Sequence, residues 1–270
     1  MSRAAQHGNR GAERFAYAQG PGVTVLSATM SDFTYKRHAH EEYSLGATVR
    51  GVQQFHLGGG LHASRPGGVI LFSPEQVHDG SSADRGNLEY EMVYVPAPLF
   101  LEAAGAREVL RFGAPVVYDR ALALGIVRLA RGVAKGLDEL WAHELLLDVV
   151  RRACRVEPRP VPARLAGRDA AVRRAQEMLR AGRAGKVKLD DICAELAMSK
   201  FHFIRLFRAA TGISPYQFFL SCKVEHAKRV IQDSRDAYAA VAHCGFVDLS
   251  HLNRHFKRIY GVTASEFARM

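Results

Sequence analysis

The sequence predicts a two-domain α+β chain: a small β-barrel or jelly roll with a helical segment, then an all-helical domain carrying two helix-turn-helix units. Three observations predict it. Short apolar runs punctuated by Gly and Pro fill the stretch from Val23 to Pro96. The end of the chain repeats itself: His202 and His251, Arg205 and Arg254, Phe207 and Phe256, and Gly212 and Gly261 all stand 49 residues apart. Between the two, Pro158, Pro160 and Pro162 fall within five residues. The charge changes character there: 17 Lys+Arg balance 17 Asp+Glu up to Pro158, whereas 20 face 10 from Arg159 on, so the whole net charge of +10 lies behind the prolines. A chain of 270 residues has room for about two domains of 100–200 residues. Its 48% apolar and 24% charged residues are an ordinary globular balance.

In chain order, residues 1–20 read as a polar arm without the apolar core of a signal peptide. Strands are expected at Val23–Leu26, Tyr43–Leu45, Val52–Phe55, Val69–Phe72 and Tyr90–Val95, with turns at Gly58-Gly59-Gly60, Pro66-Gly67-Gly68 and Pro74. Alternation along a strand would bring His38, His40 and Glu42 to one face. Phe72 and His78 follow close in the pattern, and Tyr90, Met92 and Tyr94 share a strand face that reads as core. Converging imidazoles suit a transition metal, an effector pocket or structural hydrogen bonding.

Asp119 to Val156 reads as two helices broken near Gly136. The second carries Leu137, Leu140, Trp141, Leu145 and Val149, with Leu146 and Val150 beside them, which fits either a packed core face or a dimerisation surface. Residues 1–157 make the first domain. Prolines cannot continue a helix, so 158–168 is a semi-rigid linker and 169–270 the second domain. There, Asp169–Arg180 is a helix, Leu189–Leu196 opens the first helix-turn-helix, and Pro215–Gln232 connects the two units, with Pro where a missing N–H costs nothing.

Each repeat has a Ser199 or Asp248 N-cap and a Gly212 or Gly261 terminator. Phe203, Leu206, Phe207 and Ala210 form the apolar face of the first reader helix, and Leu252, His255, Phe256 and Ile259 that of the second. Opposite them lie Lys200, Phe201, Ile204, Arg205 and Arg208, and then Leu249, Ser250, Asn253, Arg254 and Lys257. Arg can bond guanine and Asn adenine in bidentate fashion in a major groove, and an exposed Phe can meet a thymine methyl. Lys257 and Arg258 suit phosphates. His202 and His251 fit structural or phosphate-facing roles better than base reading. An 18-residue connector spans about 27 Å, comparable with a DNA turn of about 34 Å.

The motifs Ser199-Lys-Phe-His-Phe-Ile-Arg-Leu-Phe207, Thr211-Gly-Ile-Ser-Pro-Tyr-Gln-Phe218, Cys244-Gly-Phe246, Ser250-His-Leu-Asn-Arg-His-Phe-Lys257 and Tyr260-Gly-Val-Thr263 resemble the DNA-binding domain of the AraC/XylS family over roughly the last hundred residues. Lys223 stands where that family's linking helix usually carries Arg, Ala264 where it has Pro, and Ala237 and Ala240 where it has larger aliphatics. His38-Ala39-His40, Pro66-Gly67-Gly68 and Pro74-Glu-Gln-Val-His78 resemble the family's cupin-like sensor domain. The metal-binding cupin pattern has a carboxylate four or five residues after the second His, where Ser44 and Leu45 stand here.

The resemblance therefore implies a sequence-specific, effector-responsive transcription regulator, with activation the commoner outcome. It also implies a cytoplasmic homodimer, with double-stranded DNA, a small-molecule effector and RNA polymerase as partners. No enzyme activity, cofactor, metal or membrane span is expected. His38, His40, Glu42, Phe72 and His78 are the candidate effector residues. Two other classes stay open: a metal-dependent cupin enzyme fused to a DNA-binding domain, and a constitutive regulator whose barrel only dimerises. Cys154, Cys193, Cys222 and Cys244 lack CxxC spacing and read as reduced, packed thiols.

Overall fold

The computed structural model describes residues 13–83, 88–156, 161–162, 170–185 and 187–270. Nine strands come first: β1 (Arg14–Gly20), β2 (Val23–Met30), β3 (Thr34–His38), β4 (Tyr43–Arg50), β5 (Gln53–Leu57), β6 (Gly60–Ser64), β7 (Val69–Phe72), β8 (His78–Ser82) and β9 (Leu88–Val95). They are followed by α1 (Ala97–Ala104), β10 (Leu110–Arg111), β11 (Val116–Val117), α2 (Arg120–Ala134), α3 (Glu139–Val156) and β12 (Val161–Pro162).

β1 corrects one expectation. Residues 14–20, read as part of an arm, pair antiparallel with β2 from Arg14↔Thr29 to Gly20↔Val23 and bury Phe15 and Tyr17. The rest of that arm, residues 1–12, lies outside the described residues. The main sheet runs β1-β2-β9-β4-β7-β11, and a second sheet runs β3-β8-β5-β6. The strands of the main sheet bury both faces, which is why β4, β7 and β9 read as nearly unbroken apolar runs. One face, with Val25, Leu45, Leu71 and Val93, packs on Phe100, Leu122, Ile126, Leu129, Leu146 and Val150 of α1, α2 and α3. Leu146, Val149 and Val150 thus take the core role, whereas Leu140 and Trp141 stay exposed. The other face presents Leu26, Met30, Leu88, Tyr90, Met92 and Tyr94.

The helical domain comprises α4 (Ala170–Ala181), a 3-10 turn at Gly182–Ala184, α5 (Leu189–Glu195), α6 (Lys200–Thr211), α7 (Pro215–Ser234), α8 (Ala237–Cys244), α9 (Leu249–Tyr260) and α10 (Ala264–Phe267). The caps follow the sequence signals. Ser199 accepts from His202 N at 3.3 Å and Asp248 from His251 N at 2.6 Å. Ser214 and Gln217 form a capping box on α7, and Thr263 and Glu266 form one on α10, so Ala264 needs no proline to start its helix. Gly212 and Gly261 end α6 and α9 in the left-handed region at φ 80° and 77°.

The first unit has its own core of Val172, Leu179, Ile192, Phe203, Phe207, Phe218 and Cys222. The second does not. Val224, Ala227, Ile231, Leu252, Phe256, Tyr260 and Phe267 join the inner face of the main sheet in one continuous cluster. The Tyr17 hydroxyl donates to the Tyr260 carbonyl at 2.9 Å, and the Tyr17 and Phe267 rings meet edge-on at 5.2 Å. The approach is so close that a Cβ at Gly261 would stand 2.8 Å from the Phe15 ring. Ala237 and Ala240, small for the family, are both buried in this shared core. Most of the expected linker lies outside the described residues, but Val161–Pro162 within it pair with Leu110–Arg111 as β12 and β10.

Candidate DNA-reading face and histidine cavity

The reader helices α6 and α9 turn their apolar residues inward and leave a basic face outside. On α6, Phe203 and Phe207 are buried, while Lys200, Arg205 and Arg208 are exposed and Phe201 is 78% exposed. Ala210, expected on the apolar face, is also exposed. On α9, Leu252 and Phe256 are buried, and Ser250, Arg254, Lys257 and Arg258 are exposed. Among the described residues no ion pair engages Arg205 or Arg254. Among the described residues both guanidiniums are left with their donors for an outside partner.

Three of the expected reading residues are turned elsewhere. Asn253 is half-buried: its carbonyl oxygen accepts from Ser265 N at 3.2 Å, and its amide donates to the Ser265 hydroxyl at 3.3 Å, bracing α9 on α10. Ile204 faces an apolar groove with Leu189, Pro215 and Phe219. Leu249 is half-buried against the shared core. Helical phase put all three on the outer face, but each lies near its edge, where neighbouring helices cover it. Lys200 bonds Asp190 of α5 at 2.5 Å. His251 packs between Phe246 and His255 at 5.5 and 4.8 Å, in keeping with a structural role, whereas His202 is exposed.

In the barrel, His38, His40 and His78 come together. His38 ends β3 and pairs in register with His78, which starts β8. His40 lies two residues past the strand. Its Nε2 is 3.0 Å from Nε2 of His38, and the His38 and His78 rings stand 4.6 Å apart. Phe72 stacks on His78 at 4.0 Å. All three histidines are buried. Burial and the neighbouring imidazoles hold His38 well below the usual histidine range and bring His78 down to about 3, so both rings are neutral. The cavity they line, with Tyr35, Gln53 and Tyr94, measures about 30 Å³, enough for one or two waters.

Glu42 stands beside His40, with ligand atoms of the two within 4.8 Å, but does not join the cluster of all three histidines. The chain bends after His38, alternation is lost, and the Glu42 carboxylate turns to Lys228 Nζ of α7 at 2.6 Å. Lys228 is only 1% exposed and also lies 3.6 Å from Glu225. Glu225 accepts from the Tyr260 hydroxyl at 2.5 Å and faces His40 Nδ1 at 3.4 Å. Burial opposes the charge on Glu225, but Lys228, His40 and Tyr260 outweigh it and hold the carboxyl well below its usual range. Glu41 pairs with Arg229, Glu75 with Arg180, and the Gln232 amide donates to Thr24 at 2.9 Å. Ile259 of α9 closes the cavity from the helical side. Inspection of the sequence missed this ionic seam. Its signal was present: Glu225, Lys228 and Arg229 recur at helical spacing on the connector, beside the apolar Val224, Ala227 and Ile231.

Comparison with known proteins agrees with this layout. The family model described as AraC-like ligand binding domain matches residues 20–150, and that described as Helix-turn-helix domain matches residues 192–270. The chain is 23% identical over 229 residues to an uncharacterised HTH-type transcriptional regulator, YbfI of Bacillus subtilis, covering 81% of each. It is 25% identical over 268 residues to the arabinose operon regulatory protein of Salmonella typhimurium, covering 91% of each. In fold it resembles the crystal structure of unsaturated fatty acid bound ToxT from Vibrio cholerae, with TM-score 0.63 and 11% identity over 92% of this chain and 95% of that one.

Proposed function

Because the chain belongs to the AraC family of DNA-binding transcriptional regulators, with a cupin-like ligand-binding domain before its helix-turn-helix domain, we propose that it is an effector-responsive activator. In this reading residues 1–157 sense, residues 169–270 bind DNA, and the barrel cavity at His38, His40, Phe72 and His78 is where the signal is read. Lys200, Phe201, Arg205 and Arg208 of α6 and Ser250, Arg254, Lys257 and Arg258 of α9 meet the duplex. Ile204, Leu249 and Asn253 support these two helices from their edges, and Glu42 acts at the seam with α7. The protein works in the cytoplasm as a homodimer paired through the outer face of α2 and α3, where Leu140 and Trp141 are exposed, and contacts RNA polymerase when it activates. No helix among the described residues is long and apolar enough to cross a membrane.

One observation carries the reading: Ile259 of the second reader helix is a wall of the histidine cavity. Anything that changes the volume or charge of that cavity must favour one position of α9 over another, and such differential binding is what couples a ligand to DNA. The test uses an operator obtained by selecting random duplexes with the full chain. His78→Gln should blunt the effect of an effector on operator affinity while leaving effector-free binding within about twofold. An unchanged response would remove the cavity from the signalling path.

A further inference from the structure

We propose that the groove between the first half of α2 and the second half of α3 binds a small organic phosphate. This is a second ligand site, separate from the histidine cavity, and it does not depend on that cavity being the sensing site. The groove measures about 330 Å³, within the usual range of small-molecule pockets. Leu122 and Gly125 of α2 and Leu145 and Val149 of α3 give it an apolar floor. Gly125 lets the two helices approach there, since a Cβ at that position would stand 3.1 Å from Val149 Cγ2.

Arginine fills the rim. Arg128 comes from α2, and Arg151, Arg152 and Arg155 come from α3. All of them are exposed. Arg152 is held by Asp119 at 2.9 Å. Among the described residues no ion pair engages Arg128, Arg151 or Arg155. Asp148 also lines the groove, so three guanidiniums without a counter-ion face one carboxylate, a surplus of two positive charges.

The end of a helix does not by itself account for this cluster. A cation near a helix C-terminus offsets the macrodipole, and Arg155 in the last turn of α3 does so. Arg128 lies inside α2, where the dipole gives it no such gain. Arg151 and Arg155 stand at i,i+4 spacing, where like charges repel. An anion between them replaces that repulsion with attraction. The planar fork of a guanidinium matches the oxygens of a phosphate, whose charge and three acceptor oxygens serve several such forks at once. The apolar floor and the volume suit a molecule with a body beyond its phosphates.

The place of the groove separates it from the DNA readers and from the pairing surface. α2 and α3 pack on one face of the main sheet, whereas α7 and α9 pack on the other. Leu140 and Trp141 lie in the first turn of α3, and Trp141 is about 16 Å along the axis from Arg152.

The full chain, saturated with its selected operator so that the DNA-reading face is occupied, would be titrated by calorimetry with ADP, inorganic pyrophosphate and adenosine in magnesium-free buffer. We expect one ADP per chain, with affinity that falls as salt rises. Pyrophosphate should bind about tenfold more weakly, for want of the apolar contact, and adenosine not at all. Arg128→Gln and Arg155→Gln should each weaken ADP binding about tenfold. Ala121→Glu places a carboxylate at the groove without touching an arginine and should abolish binding. These residues are exposed, and unchanged melting temperatures and operator affinities of the ligand-free variants are the control for folding. No ADP binding at millimolar concentration, or equal binding by Arg128→Gln and Ala121→Glu, would overturn the site. Pyrophosphate bound as tightly as ADP would overturn the organic body and leave only a basic surface. Binding that appears in the free protein and vanishes on the operator would move the anion to the DNA-reading face and overturn the proposal as well.

Discussion

Arg205 and Arg254 occupy equivalent positions on α6 and α9, both exposed and unengaged among the described residues. Arg205→Ala should lose about 1–3 kcal/mol of specific binding and relax the preference at one base pair. Lys257→Ala should instead weaken all duplexes alike and flatten the dependence of affinity on salt. Competition titrations at two or three salt concentrations separate these outcomes, and a uniform loss for Arg205→Ala would move it to the phosphate class. Asn253 belongs to neither class. Its brace to Ser265 predicts that Asn253→Ala lowers unfolding stability by about 0.5–1.5 kcal/mol and leaves the base preference unchanged. A selected-duplex profile altered at one position would show that the side chain leaves Ser265 to read DNA. Sequence phase can say which face of a helix a residue is on. It cannot say which edge a neighbouring helix covers, and that is why Asn253, Ile204 and Leu249 were placed among the readers.

At the scale of elements, α7 decides most. Its first half packs Phe218 and Cys222 into the core of the first unit, and its second half packs Val224, Ala227 and Ile231 against the barrel. Lys228 is buried there between Glu42 and Glu225, whereas Arg229 sits on the rim. Lys228→Met should cost about 3–5 kcal/mol, because two carboxylates lose their buried counter-charge. Arg229→Ala should cost no more than about 1 kcal/mol, since water screens and replaces its contact. Denaturant melts of the two variants measure the contrast, and equal costs would mean that water reaches Lys228 in the seam. The reader helices, α7 and the apolar strands β2, β4, β5, β7 and β9 were legible because their patterns are local. β1, β3, β6 and β8 were not. Runs such as Gly60-Leu-His-Ala-Ser64 and His78-Asp-Gly-Ser-Ser82 have little intrinsic strand preference and become strands only because a neighbour offers its ladder.

For the whole molecule, the prolines mark a change of composition but not the limit of a core. Tyr94 reads as core of the barrel and Tyr17 as part of an arm, yet both meet Tyr260 and Phe267 of the helical domain in one cluster. Periodicity reports that a residue is buried and is silent about what buries it. A fragment covering residues 170–270 should therefore fold unevenly. The first unit keeps its core. The second exposes Tyr260, Phe256 and Phe267 to water, and its amides should exchange at least tenfold faster than in the full chain. Uniform protection across both units in the fragment would show that the helical domain is independent after all.

That uneven partition bears on how such a regulator can be rebuilt. The seam along which the molecule comes apart runs through the middle of α7, some sixty residues past the prolines where a cloning junction would naturally be placed. A chimera joined at the prolines severs the second reader helix from the surface it was shaped against. In the proposed reading, a graft confined to α5, α6 and the first two turns of α7 should exchange one half of the operator while keeping the packing of α9 on the barrel. In that reading the first unit is the interchangeable part, and the place to install a new DNA specificity.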